Sequence, residues 1–180
     1  MIITFLDTET TGLDFSKGHR VIEIALLSYE LETREKKLSF VKRMNPGRSI
    51  DPKAQLVHKI SQIDLMGCKK FSDYEPVISK ILSKTNLLVA HNMQFDIDFI
   101  IGEYSLLGKE APDVELFCTL ENSRWATSYG KSANLGELCY ACEVDYEPEE
   151  AHSALYDTEK LAECFFYGFD NKGFVIKTEG

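Results

Sequence analysis

The order of the elements legible in the sequence predicts an α/β fold built on a mixed central sheet. Three β-rich stretches come first, and strands alternating with helices follow. The 180 residues are enough for one globular domain, 1–180, with a proper core, and too few to suggest a second.

Residues 2–7 (IITFLD), 21–31 (VIEIALLSYEL) and 37–44 (KLSFVKRM) are rich in β-branched and aromatic side chains. They read as three strands, the last two joined by a polar turn at 32–35, and make a meander. Residues 50–65 look like short helical pieces opened by Pro52 at a first-turn position. Ser72 to Glu75 has the Ser-x-x-Glu form of a capping box ahead of Val77, Ile78, Ile81 and Leu82, the spacing of an amphipathic helix. LLVAH at 87–91 is a short buried strand. A helix from about Met93 to Leu107, a strand near 114–118, helices near 119–128 and 134–143, and a last helix from about Ser153 to Tyr167 complete the pattern.

A composition of 44% hydrophobic and 27% charged residues is that of a soluble fold, and no biased tract or linker interrupts it. MIITFLDTET enters an apolar run without a basic n-region or a small-residue cleavage site, so no signal peptide is expected and the cytoplasm is the expected location. Apolar runs such as LLVA and IALL fall far below the ~18–20 residues that span a bilayer, so no membrane partner is expected. Five scattered cysteines, Cys68, Cys118, Cys139, Cys142 and Cys164, suit reduced thiols. The lone Cys139-x-x-Cys142 pair lies in an apolar-periodic stretch and reads as helix core. The net charge of −9 is unusual for a protein that binds nucleic acid, but it is unevenly spread. Residues 1–90 hold 14 Lys+Arg against 11 Asp+Glu, and residues 91–180 hold 6 against 18. The stretch Glu143 to Glu150 reads as solvated acidic surface.

Three clusters carry chemistry. In FLDTETTGLD, Asp7 and Glu9 stand two residues apart at the end of a strand, so both carboxylates point to one side. After an apolar run, a carboxylate is an expensive choice unless it is paired or bound to a cation. Taken alone, an acidic pair at a strand end is also a common turn former. In LLVAHNMQFDIDFI, His91 and Asn92 end a buried strand and Asp96 lies one turn into the next helix, where open α/β sheets gather ligands. Asp98 is ~200° from Asp96 around a helix and cannot share its site. Asp96 could equally decorate the helix dipole. In AHSALYDTEKLAE, His152 precedes Asp157 by five; one helix would set them ~140° apart, which places His152 on the preceding loop. A lone histidine is otherwise an ordinary surface or core residue.

Together, and in this order, the clusters resemble the three motifs of the DnaQ-like DEDDh 3′→5′ exonuclease family. GHRVIEIA, PKAQLVHKIS, FCTL and NLGELC are similar to its connecting segments. The resemblance implies an RNase H-like fold with a five-stranded mixed sheet flanked by helices. It also implies that Asp7, Glu9, Asp96 and Asp157 hold two Mg²⁺ or Mn²⁺ ions, with His152 as general base. Thr10, Thr11, Gly12 and Leu13 resemble the wall that holds the terminal nucleotide, Leu13 being the apolar wedge against its base, and His91 and Asn92 match positions lining that pocket. Cys118 stands where many relatives carry Asp, and Lys59 where many carry Gly. The chemistry fits these residue types: hard divalent ions prefer carboxylate oxygens, and a histidine can take a proton from water at neutral pH.

The expected substrate is the 3′ end of single-stranded DNA, and the DTETTGLD form is nearer the DNA-proofreading branch. RNA, in the manner of oligoribonuclease or RNase T, is the alternative. A catalytically silent binding module of a replication complex is a further one, and retention of all five catalytic residue types argues against it. A polymerase or clamp partner is also considered: QIDLM at 62–66 is similar to the Gln-x-x-Leu clamp-binding peptide, yet it falls in an ordinary link and short motifs recur by chance. The chain ends soon after the last helix, which leaves a stand-alone enzyme, a phage-encoded protein or an isolated proofreading domain as alternatives.

Overall fold

A computed structural model describes residues 1–171 and 173–176; the rest of the domain expected over 1–180 lies outside the described residues. Strands β1 (Ile2–Thr10), β2 (Val21–Glu30), β3 (Lys36–Arg43), β4 (Leu87–Ala90) and β5 (Glu115–Cys118) form one sheet in the order β3-β2-β1-β4-β5. The first three pair antiparallel, and β4 and β5 add in parallel, which makes the sheet mixed. The helices are α1 (Pro52–His58), α2 (Phe71–Leu82), α3 (Met93–Leu106), α4 (Thr119–Asn122), α5 (Leu135–Ala141) and α6 (Ala154–Asp170). None of the described helices is long and apolar enough to cross a membrane.

Alternation along β1 sorts its side chains between two cores. Ile3 and Phe5 face α5 and α6, where they pack with Leu138, Leu161, Phe165 and Phe174. The Phe5 ring meets Phe165 and Phe166 edge-on at 5.4 and 5.5 Å, an arrangement that aromatic quadrupoles favour. Leu6 faces α2 and α3, with Ile78, Phe99 and Ile100. A third cluster, Ile22, Ile50, Ile60 and Leu65, seals the chain between β3 and α2. The bidentate Arg20–Glu103 pair, with Val21 N–H on Glu103 Oε1 at 3.1 Å, anchors α3 to the start of β2.

Several local expectations are corrected. β1 runs on to Thr10, because β2 pairs with it as far as Val21, so Asp7 and Glu9 lie within the strand. Helix α2 starts at Phe71, one residue before the expected cap. Asp73, not Glu75, accepts the Lys70 N–H that precedes it, at 2.8 Å. Glu75 is instead buried, taken up by Ser79 and Lys109, and Val77 lies on the exposed side of the helix. The helix expected over 119–128 breaks at Ser123. Its buried hydroxyl donates to Leu120 O at 2.7 Å and accepts Ala133 N–H at 2.8 Å, a local bonding pattern that competes with the helix. Within 50–65 only α1 forms, capped by Asp51, and Lys59 closes it at φ 60. A left-handed position of this kind is one that glycine adopts most easily. Leu65, the leucine of the clamp-like QIDLM, is wholly buried, so the segment could present it to a clamp only by opening the third cluster.

Candidate active site

Asp7 and Glu9 leave β1 on the face that packs against α6, where Asp157 sits in the first turn. Oxygens of these three carboxylates lie within 4.8 Å of one another. Asp96 arrives from the other side of the sheet, in the first turn of α3, 2% exposed, and accepts the Thr8 hydroxyl at 2.7 Å. All four border one open cavity of ≈ 850 Å³. Helix packing on both faces of one strand therefore brings together side chains from residues 7, 9, 96 and 157.

The charges are uncompensated. Burial pushes Asp7 well above the usual carboxylate range, helped by Asp96, Glu9, Asp157 and Glu23. Glu9 is pushed up to about 9 by burial and then by Asp157, Glu23 and Asp96. Burial takes Asp96 to about 7 against the pull of the Thr8 hydroxyl. Asp157 is also raised by burial, which the His152 backbone N–H opposes. Its Oδ1 is buried with no hydrogen-bond partner. Crowded carboxylate oxygens of this kind are the donor set that hard divalent cations take, and a cation would relieve the repulsion that now favours protonation. The residues therefore fit such an ion.

His152 lies outside α6, on the preceding loop, at φ 64. Its backbone N–H donates to Asp157 Oδ2 at 2.9 Å, and the exposed residue borders the cavity. Thr10, Gly12, Leu13, His91 and Asn92 also line it. Leu13 is 85% exposed at the cavity's edge. Thr11, expected with them, does not line the cavity. It is buried, with its hydroxyl on His19 Nδ1 at 3.1 Å and its carbonyl accepting Asp51 N–H at 2.8 Å, which ties the turn to the start of α1. Glycine is required at position 12 by packing: an added Cβ would fall 2.3 Å from the His19 ring. His91 Nδ1 bonds Thr119 Oγ1 at 2.9 Å, and burial lowers the imidazole to about 4, so the ring is neutral. Asp98 is exposed and bonds Gln94 at 2.7 Å, away from the four acids.

Sequence reasoning missed Glu23, His58 and Tyr146. Glu23 pairs across the strands with Glu9 and is held by Arg43 Nε at 2.8 Å. An acid inside the apolar VIEIALL was its signal, the same one that marked Asp7. His58 is buried on the cavity wall, where Nδ1 accepts Ile60 N–H at 3.0 Å and Nε2 has no partner. Tyr146 comes from the stretch expected to be solvated acidic surface, yet it lines the cavity with Pro148. One ring among five acids gave no sequence signal.

A family described as exonuclease matches residues 4–165. The chain is 32% identical over 167 residues to the DNA polymerase III subunit epsilon of Escherichia coli (strain K12), covering 89% of this chain and 68% of that one. It is 35% identical over 163 residues to the subunit of the same name from Rickettsia typhi, covering 89% and 70%. Among solved structures, exonuclease X in complex with 5′ overhanging duplex DNA matches at TM-score 0.74 and 21% identity, over 96% of this chain and 94% of that one. The nuclease domain of 3′hExo, a DEDDh family member bound to rAMP, matches at TM-score 0.78 and 16% identity, over 99% and 96%. These two show the RNase H-like fold. By the family match and the identity to the epsilon subunits, the chain belongs to the DnaQ-like exonucleases, a family of divalent-metal-dependent 3′→5′ nucleases.

Proposed function

We propose that the chain, as one exonuclease domain over 1–180, removes nucleotides from the 3′ end of single-stranded DNA with Asp7, Glu9, Asp96 and Asp157 holding two Mg²⁺ or Mn²⁺ ions. The observation that carries this is the convergence of Asp7, Glu9 and Asp157 within 4.8 Å, with Asp96 buried on the same cavity. Bound there, the ions would supply Lewis-acid polarisation of the phosphate and a more acidic attacking water. Asp7, Glu9 and Asp157 would hold a cation together, with Asp96 on the same cavity as the fourth carboxylate.

His152 is the group that takes the water's proton. Its loop leaves the ring free at the cavity while the N–H bond to Asp157 fixes the backbone beneath it. The terminal base packs on Leu13, with Val57 and Phe95 adding apolar wall, and such contacts accept any base. Neutral His91 and Asn92 offer polar contacts to sugar or phosphate without adding charge.

DNA is favoured because the curated relatives are DNA polymerase III subunits, and that similarity also supports a role in proofreading beside a polymerase. RNA is the second reading, supported by the rAMP bound to 3′hExo. The five cysteines, all free, fit a reducing cytoplasm. Competition between equal-length DNA and RNA strands with Mg²⁺ tests the preference: faster shortening of DNA is expected, and faster shortening of RNA overturns it.

A further inference from the structure

The cavity wall carries the carboxylates of Asp7, Glu9, Asp51, Asp96 and Asp157 against a single lysine or arginine among the described residues, Lys53. Lys53 lies in the first turn of α1, behind the Asp51 cap and Pro52, and its N–H donates to Asp51 Oδ1 at 2.8 Å. The Asp51 N–H in turn donates to Thr11 O at 2.8 Å, which ties this end of α1 to the turn at residues 10–13. Ala54 and Val57 line the cavity beside Lys53, and Val57 stands one helical turn further along on the same face. Lys53 is thus fixed, through its backbone, next to the apolar wall of Leu13 and Val57.

The fold makes no use of that charge. Lys53 is exposed, and no carboxylate among the described residues forms an ion pair with it. A cation in the first turn of a helix also opposes the helix dipole, and α1 has no acid in that turn to offset it. We propose that Lys53 binds the first phosphodiester inward from the one that is cut, holding the strand where it leaves the cavity. The proposal rests on the reading of the chain as a 3′→5′ nuclease. The scissile phosphate falls to the cations held by the acids, whereas the next phosphate meets no metal and would be repelled by the carboxylates around it. A flexible ammonium serves there as a point charge for phosphate. The released mononucleotide lacks this linkage, so the contact favours strand ends over product.

Initial rates of the full chain with Mg²⁺ test this on a short all-thymidine DNA strand and on the same strand with that one linkage replaced by an uncharged methylphosphonate. Lys53→Gln completes the cycle. The neutral linkage should lower wild-type kcat/KM about 2–5-fold at low ionic strength, the scale of an exposed charge pair, with kcat unchanged. Lys53→Gln should show the same loss on the ordinary strand and no further loss on the neutral one. Its Tm should match or exceed the wild type's, because the change removes a cation from a helix N-terminus. Lys59→Gln, an equal change of charge at the other end of α1 and off the cavity, should keep the wild-type sensitivity to the linkage. A neutral linkage that costs the wild type nothing, or costs Lys53→Gln as much as it costs the wild type, overturns the role of Lys53. Absence of Mg²⁺-dependent cleavage of the ordinary strand by the wild type overturns both this and the nuclease reading beneath it.

Discussion

Without a cation, the folded protein should lose stability as pH rises above neutrality, and Mg²⁺ should reverse the trend. Asp7 and Glu9 have folded pKa values raised above their unfolded values, Glu9 to about 9. Such groups bind more protons folded than unfolded, so their contribution is fully present below about pH 4 and is lost as pH rises through the folded value. Below about pH 6.5 the buried imidazoles oppose this: His58 and His91 are lowered by burial, and the unfolded chain then binds the extra protons. The clean window is therefore pH 7 to 8.5. Each proton contributes about 1.4 kcal/mol per pH unit, and 1 kcal/mol moves Tm by about 2–4 °C for a chain of this size. In EDTA the Tm should fall by about 3–6 °C per pH unit for one proton and up to twice that for two. Mg²⁺ binds the ionised carboxylates, so its stabilisation grows with pH, reaching about 4 kcal/mol at 1,000-fold excess over Kd. Scanning calorimetry with and without Mg²⁺, repeated on Glu9→Gln, measures this. A Tm in EDTA that is flat or rising over the window, or unaltered by Mg²⁺ at pH 8.5, would refute the reasoning.

Three further outcomes follow from the geometry. His152→Ala should cost on the order of 10²–10⁴ in turnover, as for a removed acid–base group, while the Mg²⁺-induced rise in Tm persists; wild-type turnover would make this an ordinary surface histidine. Asp157→Ala should lose turnover and the Tm rise together, whereas Asp98→Asn, on the exposed side of α3, should stay near wild type in both. Gly12→Ala should destabilise by about 1–3 kcal/mol through overpacking against His19. A second change, His19→Ala, should restore most of that loss in urea titrations, and equal losses in both backgrounds would remove His19 as the cause.

The strands and Asp7 were legible because each leaves a local mark, whereas Asp96 and Asp157 stood out only through the resemblance of the three clusters together. Runs of β-branched and aromatic side chains announce β1 and β2, and a carboxylate in an apolar run announces Asp7. The same mark sits at Glu23, where it passed unread because no second acid stood two residues away. What was not legible depends on tertiary partners. Thr11 turns inward because His19 and Asp51 are there to receive it, and the helix after β5 breaks because Ser123 finds Ala133. Tyr146 reaches the cavity because Gly136 leaves space for its ring. Leu65 carries a surface-motif pattern but fills a hydrophobic cluster, which only the fold reveals.

The most direct test of the central claim is a time course on a 5′-labelled single-stranded DNA oligonucleotide with Mg²⁺, compared with EDTA and with a circular single strand. The account predicts a ladder that shortens one nucleotide at a time from the 3′ end, releases 5′-monophosphates, vanishes in EDTA and leaves the circle intact. Release of the labelled 5′ nucleotide first, cutting of the circle, or undiminished digestion in EDTA would contradict it.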